Sequence, residues 1–242
     1  MDTTADAKKS TQRVIPIESP SFVSEECLEQ VGQPALLFDR IRPLAMEIGC
    51  GTGDFVIEMA QRRADLNFLA VDIYNKGCLK TCRKVDRNRL DNVRVLRIEA
   101  RQLLARFFEP ETLHALYINC PDPWPKKRHH QRRLVNSDFL ALIHRCLAPR
   151  GELVFCTDFA HYAHQVSALF PFPGFDNCLE EICAHHLQDY PFSKYMRKFH
   201  ESGLPLYFVH QRKAEPVRAQ ESARRKEPVN GGFAQTCSGG SR

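Results

Sequence analysis

The 242-residue sequence lacks the features that mark membrane proteins, disulfide scaffolds and zinc proteins. No apolar run approaches the roughly 18 residues that a membrane helix needs, and the polar start of the chain is not a signal peptide. None of its ten cysteines pairs with another at the two-residue gap of a zinc or redox motif. We therefore expect a cytoplasmic protein from a reducing compartment, with no metal and no membrane partner.

A strong charge bias and internal repeats are also missing. The formal net charge of +5 permits a polyanionic partner without requiring one. The length and a hydrophobic content of 43% suit a single α/β domain with a real core, which we place at residues 21–213. Residues 1–20 are predicted to form a flexible arm, and residues 214–242 a disordered tail too polar to bury a core.

Apolar segments alternate with helical patterns along most of the chain. Five predicted strands, each followed by a predicted helix, lie at residues 44–48, 68–71, 93–98, 113–119 and 152–156. This alternation predicts a doubly wound, mostly parallel sheet with helices on both faces. A later pair, residues 175–183 and 206–211, completes seven strands, and the long connection inside that pair is of a kind that is usually functional. One or two short helices are expected within residues 22–42.

The first predicted strand runs into a turn with Gly49, Gly51 and Gly53. Glycines permit positive φ and let a ligand approach the backbone, while the next helix offers free amides. A dinucleotide fingerprint would need glycine where this chain has Asp54. On its own, the motif fits either a ligand-binding loop or a plain strand-to-helix turn.

Four acids each follow a predicted strand: Asp72, Glu99, Asp122 and Asp158. Open α/β sheets bind their ligands at this carboxyl edge. Asp72, beside the glycine turn, can accept both hydroxyls of a ribose, or it can cap the helix that follows. The glycines and this acid together favour nucleoside binding.

The most unusual segment follows the fourth predicted strand. Three prolines within residues 121–125 end the strand and stiffen a loop that holds Asp122 and Trp124, the only tryptophan. Residues 126–133 then contain five Lys/Arg and two His. An acid, a flat aromatic and a cation cluster suit a base edge, a base face and a phosphate backbone. The alternative is a proline turn before a solvated basic helix.

These residues resemble two known kinds of site. Glu47, the glycine turn and Asp72 resemble the cofactor site of class I S-adenosylmethionine-dependent methyltransferases. A more specific run resembles the tRNA (guanine-N7-)-methyltransferase family: Pro121-Asp122-Pro123-Trp124-x-Lys126-x-Arg128-His129-x-x-Arg132-Arg133. Thr157-Asp158 and Ser193-x-Tyr195 resemble the same family. The resemblance covers residues 36–213 and implies a Rossmann-like class I methyltransferase fold.

The resemblance also implies a role for each matching residue. S-adenosylmethionine would be bound by Glu47, Gly49, Gly51, Gly53, Asp72 and Glu99. Asp122 would be the catalytic residue, an acid on the substrate side. For Trp124 two roles stay open, stacking on a base or buttressing the loop, and we favour buttressing. The tRNA substrate would be contacted by Lys126, Arg128, Arg132, Arg133, Asp158 and Ser193. The implied activity is methylation of guanine N7 in tRNA. Apart from the resemblance, we expect a monomer or homodimer, since the sequence indicates no partner subunit.

The sequence departs from the family's pattern in the late segment. Met196 stands where the family has Glu, and Ser193 where it usually has Thr. We expect Met196→Glu to leave activity equal or higher. Two alternatives stay open: methylation of adenine N6 or a related amine, because residues 119–124 loosely echo an Asn-Pro-Pro-aromatic loop, and a non-catalytic RNA-binding protein that retains the fold.

Overall fold

The computed structural model describes residues 15–215. Most of the predicted arm (residues 1–20) and nearly all of the predicted tail (residues 214–242) lie outside the described residues. The flexibility of the arm, the disorder of the tail and the domain boundaries therefore stay predictions.

The described chain forms one eight-stranded sheet. Its strands are β1 (Phe22–Val23), β2 (Leu44–Ile48), β3 (Asn67–Val71), β4 (Val93–Leu96), β5 (Leu113–Asn119), β6 (Leu147–Thr157), β7 (Phe175–Asn177) and β8 (Tyr207–Lys213). Their order across the sheet is β1-β4-β3-β2-β5-β6-β8-β7. The first six strands are parallel, and β8 is antiparallel to both β6 and β7. The predicted mostly parallel, doubly wound α/β class is confirmed.

The predicted count of seven strands is wrong by one. The additional strand is β1, in which Phe22 pairs with Val95 and Val23 with Leu96. A strand of two residues has no measurable periodicity in the sequence, and only its pairing with the edge of β4 defines it. The short helix predicted in the same region is present immediately after it, as α1 (Glu25–Val31).

Helices cover both faces of the sheet. After α1 the described helices are α2 (Asp54–Arg62), α3 (Asn75–Asn88), α4 (Ala100–Phe107), α5 (Ser137–Cys146), α6 (Ala160–Ser167) and α7 (Lys194–Glu201), with 3₁₀ turns at Pro34–Leu37 and Lys127–Arg132. Among the described residues, no helix combines the length and apolar character that a membrane crossing requires.

Strand β2 lies between two of the hydrophobic clusters, one on each face of the sheet. Leu44, Met46 and Ile48 pack with residues of α4 and α5, whereas Ala45 packs with residues of α2 and α3. All five residues of the strand are buried, as expected for a strand covered on both faces. Each large apolar side chain buried in this way contributes about 1.5–3 kcal/mol, so the sheet is a firm support for the loops at its edge.

The chain before β1 lies along α3. The backbone of Ile15 and the side chain of Asn75 exchange two hydrogen bonds, N to Oδ1 at 2.9 Å and Nδ2 to O at 3.1 Å. Ser19 Oγ donates to Asp86 Oδ2 at 2.8 Å, near the other end of the helix. These bonds attach residues 15–20 to the helix that starts beside Asp72.

The parallel strands bring their carboxyl ends to one edge. The glycine turn follows β2, Asp72 follows β3, and the proline loop (residues 120–125) follows β5. The strand order runs in opposite directions from β2, to β3 on one side and to β5 on the other. A crevice opens at such a reversal, and it is where open α/β sheets bind ligands.

Candidate active site

The glycine turn is left-handed at every second residue. Gly49, Gly51 and Gly53 have φ values of 76°, 54° and 77°. A Cβ atom on Gly53 would lie 2.7 Å from Thr81 Cγ2, so this glycine allows α2 and α3 to approach each other. A Cβ atom on Gly49 would meet nothing within 4 Å, so the backbone there faces open space. The turn therefore combines a packing requirement with room for a ligand.

Asp72 fastens the glycine turn to the tip of β3. Its Oδ2 accepts a hydrogen bond from Gly51 N at 2.8 Å, and its Oδ1 accepts from Tyr74 N at 2.9 Å. Helix α3 begins at Asn75 and has no side-chain cap at Tyr74, so Asp72 does not act as its N-cap. The carboxylate instead belongs to the crevice, beside the glycines.

Glu47, at the carboxyl end of β2, is only 1% exposed. Its Oε1 accepts a hydrogen bond from Asn119 Nδ2 at 3.1 Å, and its buried Oε2 has no partner among the described residues. Burial raises the pKa of Glu47 to about 8; the Asn119 bond opposes this shift, and the negative charges of Asp72 and Asp54 add to it. An unpaired buried carboxyl oxygen is costly unless a donor or a cation binds beside it.

Sequence reasoning missed two residues of the crevice, Asn119 and Tyr190. Asn119 is the last residue of β5, and its Oδ1 accepts a hydrogen bond from Tyr190 OH at 2.8 Å. The strand end at Asn119 could have signalled the first residue. Nothing local signals Tyr190, which lies 71 residues further along the chain.

Glu99 acts as a helix cap in this structure. It immediately precedes α4, and its Oε2 accepts a hydrogen bond from Gln102 N at 2.8 Å. Its side chain is exposed at the carboxyl end of β4. A carboxylate accepts several hydrogen bonds, so this cap leaves acceptor sites for the predicted contact with the adenine end of a cofactor, which stays a prediction.

The proline loop holds Asp122 outside the core. β5 ends at Asn119, as predicted, and Cys120 and Trp124 both adopt left-handed φ values, 47° and 42°. Cys120 N still donates to Cys156 O at 2.8 Å, which keeps the start of the loop against the neighbouring strand β6. Asp122 is exposed between these two fixed turns.

Arg133 occupies an unexpected position. The sequence predicts a phosphate contact, but the side chain is buried, with 1% exposure. Its Nε donates to Pro123 O at 2.8 Å, and its Nη1 donates to His161 Nδ1 at 3.1 Å and to Gln165 Oε1. The predicted phosphate contact is therefore wrong, because the guanidinium is enclosed. Arg133 instead ties the proline loop to helix α6.

The other cations of the run face solvent. Lys126, Arg128 and Arg132 are exposed, and Arg132 lies over the ring of Trp124 at 5.0 Å from its centroid. His129 meets the same ring edge-on at 5.7 Å. These contacts suit the expected buttressing role of Trp124, which stays a prediction.

The remaining predicted residues follow β6 and the late connection. Asp158 directly follows β6 and is half-exposed. Ser193 caps α7, its Oγ accepting from Met196 N at 3.3 Å. Met196 is completely buried against Cys156, Leu206 and Phe208. Position 196 thus belongs to the core, whereas Ser193 is the cap at the start of the helix. Within residues 15–215 no group of three or more His, Cys, Asp or Glu side chains is arranged to hold a metal ion.

Comparisons with known proteins identify the family. A family model described as "Putative methyltransferase" matches residues 41–209. A tRNA (guanine-N(7)-)-methyltransferase of Syntrophotalea carbinolica is 50% identical over 224 residues, which are 92% of this chain and 96% of that protein. The protein of the same name from Geobacter metallireducens is 46% identical over 204 residues, 84% of this chain and 97% of that protein. The chain belongs to the tRNA (guanine-N(7)-)-methyltransferase family.

Membership of this family confirms the resemblance drawn from the proline loop and makes the chain an enzyme that uses a methyl donor. Among solved structures, the 16S rRNA methyltransferase KamB aligns with a TM-score of 0.54 at 13% identity, covering 78% of this chain and 94% of that one. TrmN from Thermus thermophilus aligns with a TM-score of 0.51 at 20% identity, covering 77% of this chain and 46% of that one. At these identities the likeness shows the fold alone, which is the expected Rossmann-like methyltransferase fold.

Proposed function

We propose that this enzyme transfers the methyl group of S-adenosylmethionine to N7 of a guanine in tRNA. The observation that carries the proposal is the 50% identity with the Syntrophotalea carbinolica protein over 96% of its length. A match of that extent leaves out only a small part of either chain. The geometry of the crevice supports the same reading from the residues upward.

Three features of the chain suit S-adenosylmethionine. The unpaired Oε2 of Glu47 would accept from the ammonium group of the donor's amino-acid end. The backbone at Gly49 is open to a ligand. The oxygens of Asp72 keep lone pairs for ribose hydroxyls in addition to their bonds with Gly51 and Tyr74. When bound, S-adenosylmethionine supplies a methyl group attached to a positively charged sulfur.

The residues facing the substrate need only hold and desolvate the base. Guanine N7 is a lone-pair acceptor, so no proton has to be removed before it attacks a methyl group. Catalysis is then mainly positioning. Asp122 and Asp158, at the ends of neighbouring strands, would accept from the N1–H and N2–H₂ groups of guanine. Adenine does not present that pair of donors.

Arg133 would fix the position of Asp122 relative to Asp158. It binds Pro123, the residue after Asp122, and it binds His161 and Gln165 on the helix that starts just beyond Asp158. The guanidinium is enclosed, so it supports the loop from inside the protein. This is a structural support for the guanine pocket, in place of the phosphate contact that the sequence predicts.

The exposed cations Lys126, Arg128 and Arg132 would bind the phosphate backbone of tRNA.

We expect Arg132→Glu to weaken tRNA binding and to make the slope of log K against log salt concentration shallower by about 1, because one phosphate contact is lost. Affinity for S-adenosylmethionine should not change. The measurement is a salt titration of tRNA binding by fluorescence anisotropy. Arg87→Glu, an equal charge reversal at an exposed site on α3, serves as the control and should leave the slope nearly unchanged. A slope equal to the wild-type value in Arg132→Glu would mean that the run is only solvated surface.

Asp72→Ala is expected to weaken S-adenosylmethionine binding by about 1–3 kcal/mol, because Gly51 N, Tyr74 N and the ribose hydroxyls all lose an acceptor. Isothermal titration calorimetry measures the change. Asp86→Ala is the matched control: Asp86 lies on α3 and accepts from Ser19 Oγ and Ser21 Oγ, far from the glycine turn. Equal affinities for the wild type and Asp72→Ala would remove Asp72 from the cofactor site.

The decisive test of the function is nucleoside analysis of bulk tRNA after incubation with the enzyme and labelled S-adenosylmethionine. Label in N7-methylguanine supports the proposal. Label in N6-methyladenine would favour the amino-methyltransferase alternative, and no label would favour the non-catalytic one. No observation in the structure favours either alternative. The cytoplasmic location and the monomeric or homodimeric state stay predictions.

A further inference from the structure

A chain of two hydrogen bonds crosses the floor of the crevice. Tyr190 OH donates to Asn119 Oδ1 at 2.8 Å, and Asn119 Nδ2 donates to Glu47 Oε1 at 3.1 Å. Tyr190 lies in the long connection between β7 and β8, three residues before Ser193. These two hydrogen bonds therefore join the segment expected to face the substrate to the carboxyl group expected to face the cofactor.

The ring of Tyr190 is held independently of its hydroxyl group. Its centroid lies 5.0 Å from that of Phe55, 6.3 Å from that of Tyr117 and 5.5 Å from that of Phe208. Tilted and edge-on contacts of this kind fix the ring by packing. The hydroxyl can therefore be removed by Tyr190→Phe while the surrounding core is preserved.

We propose that Tyr190 is a positioning residue that holds the Asn119 amide with its NH₂ group toward Glu47, so that the Glu47 carboxylate is kept for the positive charge of S-adenosylmethionine. The inference rests on the proposed function. An amide has one acceptor end and one donor end. Because the Tyr190 hydroxyl occupies the acceptor end, the donor end is left for the carboxylate. Linked hydrogen bonds also polarise one another, so the first bond strengthens the second.

The hydrogen bond from Asn119 to Glu47 matters because its surroundings disfavour the ionised form of Glu47. Asp72 at the tip of β3 and Asp54 at the start of α2 both disfavour a charge on Glu47, and Asp54 is itself paired with Lys84 and Arg197. The buried thiol of Cys50 lies beside it in the glycine turn and adds no positive charge. With burial, these groups hold the pKa of Glu47 at about 8, and the Asn119 bond is the largest influence that lowers it.

The sign of the pH effect follows from this balance. Below about pH 8 most of the free enzyme carries a protonated Glu47. A cationic ligand favours the ionised form, so affinity should increase as the pH rises towards that value and then level off. A weaker Asn119 bond would raise the pKa of Glu47 further. The same gain in affinity would then be reached only at a higher pH.

The test compares wild type with Tyr190→Phe by titration calorimetry of S-adenosylmethionine between about pH 6 and 9.5. We expect the variant to bind about tenfold more weakly at pH 7, with its pH profile displaced upward by about one unit. At pH 9.5 the difference should shrink to within about twofold, because Glu47 is then ionised in most molecules of both proteins. Titration of the ligand itself is common to both and cancels in the comparison.

Two further variants separate positioning from packing. Tyr162→Phe removes a buried hydroxyl that accepts from Val135 N at 2.9 Å, away from Glu47, and should leave the pH profile in place. In a Glu47→Gln background no carboxyl group titrates at this position. Adding Tyr190→Phe to it should therefore cost at most about twofold at any pH.

The outcomes are distinct. An equal loss of affinity at every pH would give Tyr190 a packing role only and overturn the inference, and so would a profile identical to that of the wild type. If the wild type binds S-adenosylmethionine but the pH profile of Tyr190→Phe is not displaced from that of the wild type, the proposed function stands and the inference is wrong. A wild type that does not bind S-adenosylmethionine would overturn both.

Discussion

Replacing Asp122 by asparagine is expected to lower kcat/KM for tRNA methylation about a hundredfold, or ~2.7 kcal/mol of transition-state stabilisation. The amide would present a donor where the guanine edge also presents donors, so the base would be held poorly or in the wrong orientation. Asp122 is exposed on the proline loop, so the fold should survive the change. Affinity for S-adenosylmethionine should stay within about twofold, since the described hydrogen bonds of Glu47 and Asp72 do not involve Asp122. Initial rates and calorimetry measure the two quantities.

The control for this variant is Asp138→Asn, which changes another exposed acid, in the first turn of α5. It should retain wild-type kinetics. If Asp122→Asn keeps more than about a third of the wild-type kcat/KM, the acid does not fix the guanine edge, and the substrate pocket must be sought elsewhere.

Met196→Glu is expected to lower the free energy of unfolding by about 3 kcal/mol at pH 7, because a carboxyl group would replace a fully buried thioether among apolar neighbours. The sequence alone suggested equal or higher activity, on the ground that Glu would restore the family's acid. Burial of residue 196 reverses that expectation. The new carboxyl would be harder to ionise in the folded than in the unfolded state, so its cost should diminish as the pH falls toward about 5.

Urea unfolding at two pH values measures this effect, with Met196→Leu as the matched control, expected to cost less than about 1.5 kcal/mol. A Met196→Glu protein of full stability and raised N7 methylation would show that α7 turns when RNA binds and brings residue 196 to the base. In that case the position of α7 described above would not be its position when the substrate is bound.

The parts of the fold that the sequence predicts are those with local signals. The glycines at residues 49, 51 and 53 and the acid at Asp72 lie close together in the chain, and parallel strands must bring their carboxyl ends to one edge. The proline loop is predictable for the same reason, since proline ends a strand by itself. Most of the family resemblance comes from these two segments and the basic residues that follow the second.

The parts that the sequence does not predict depend on distant partners. Arg133 looks like its exposed neighbour Arg132, and only its contacts with α6, about thirty positions further on, show that it is buried. Tyr190 meets Asn119 across 71 positions. A local charge pattern cannot tell a cation that faces solvent from one that the fold encloses, because burial is decided by tertiary packing.

The enclosure of Arg133 gives this position a chemical requirement beyond positive charge. Burial already lowers the pKa of its guanidinium, which nevertheless stays protonated at any physiological pH. A lysine in the same place would be a compact ammonium with a much lower intrinsic pKa, and buried lysines readily lose their proton. Arg133→Lys would therefore make the attachment of the proline loop to α6 sensitive to alkali. Arginine therefore provides a clamp whose own positive charge does not change at physiological pH.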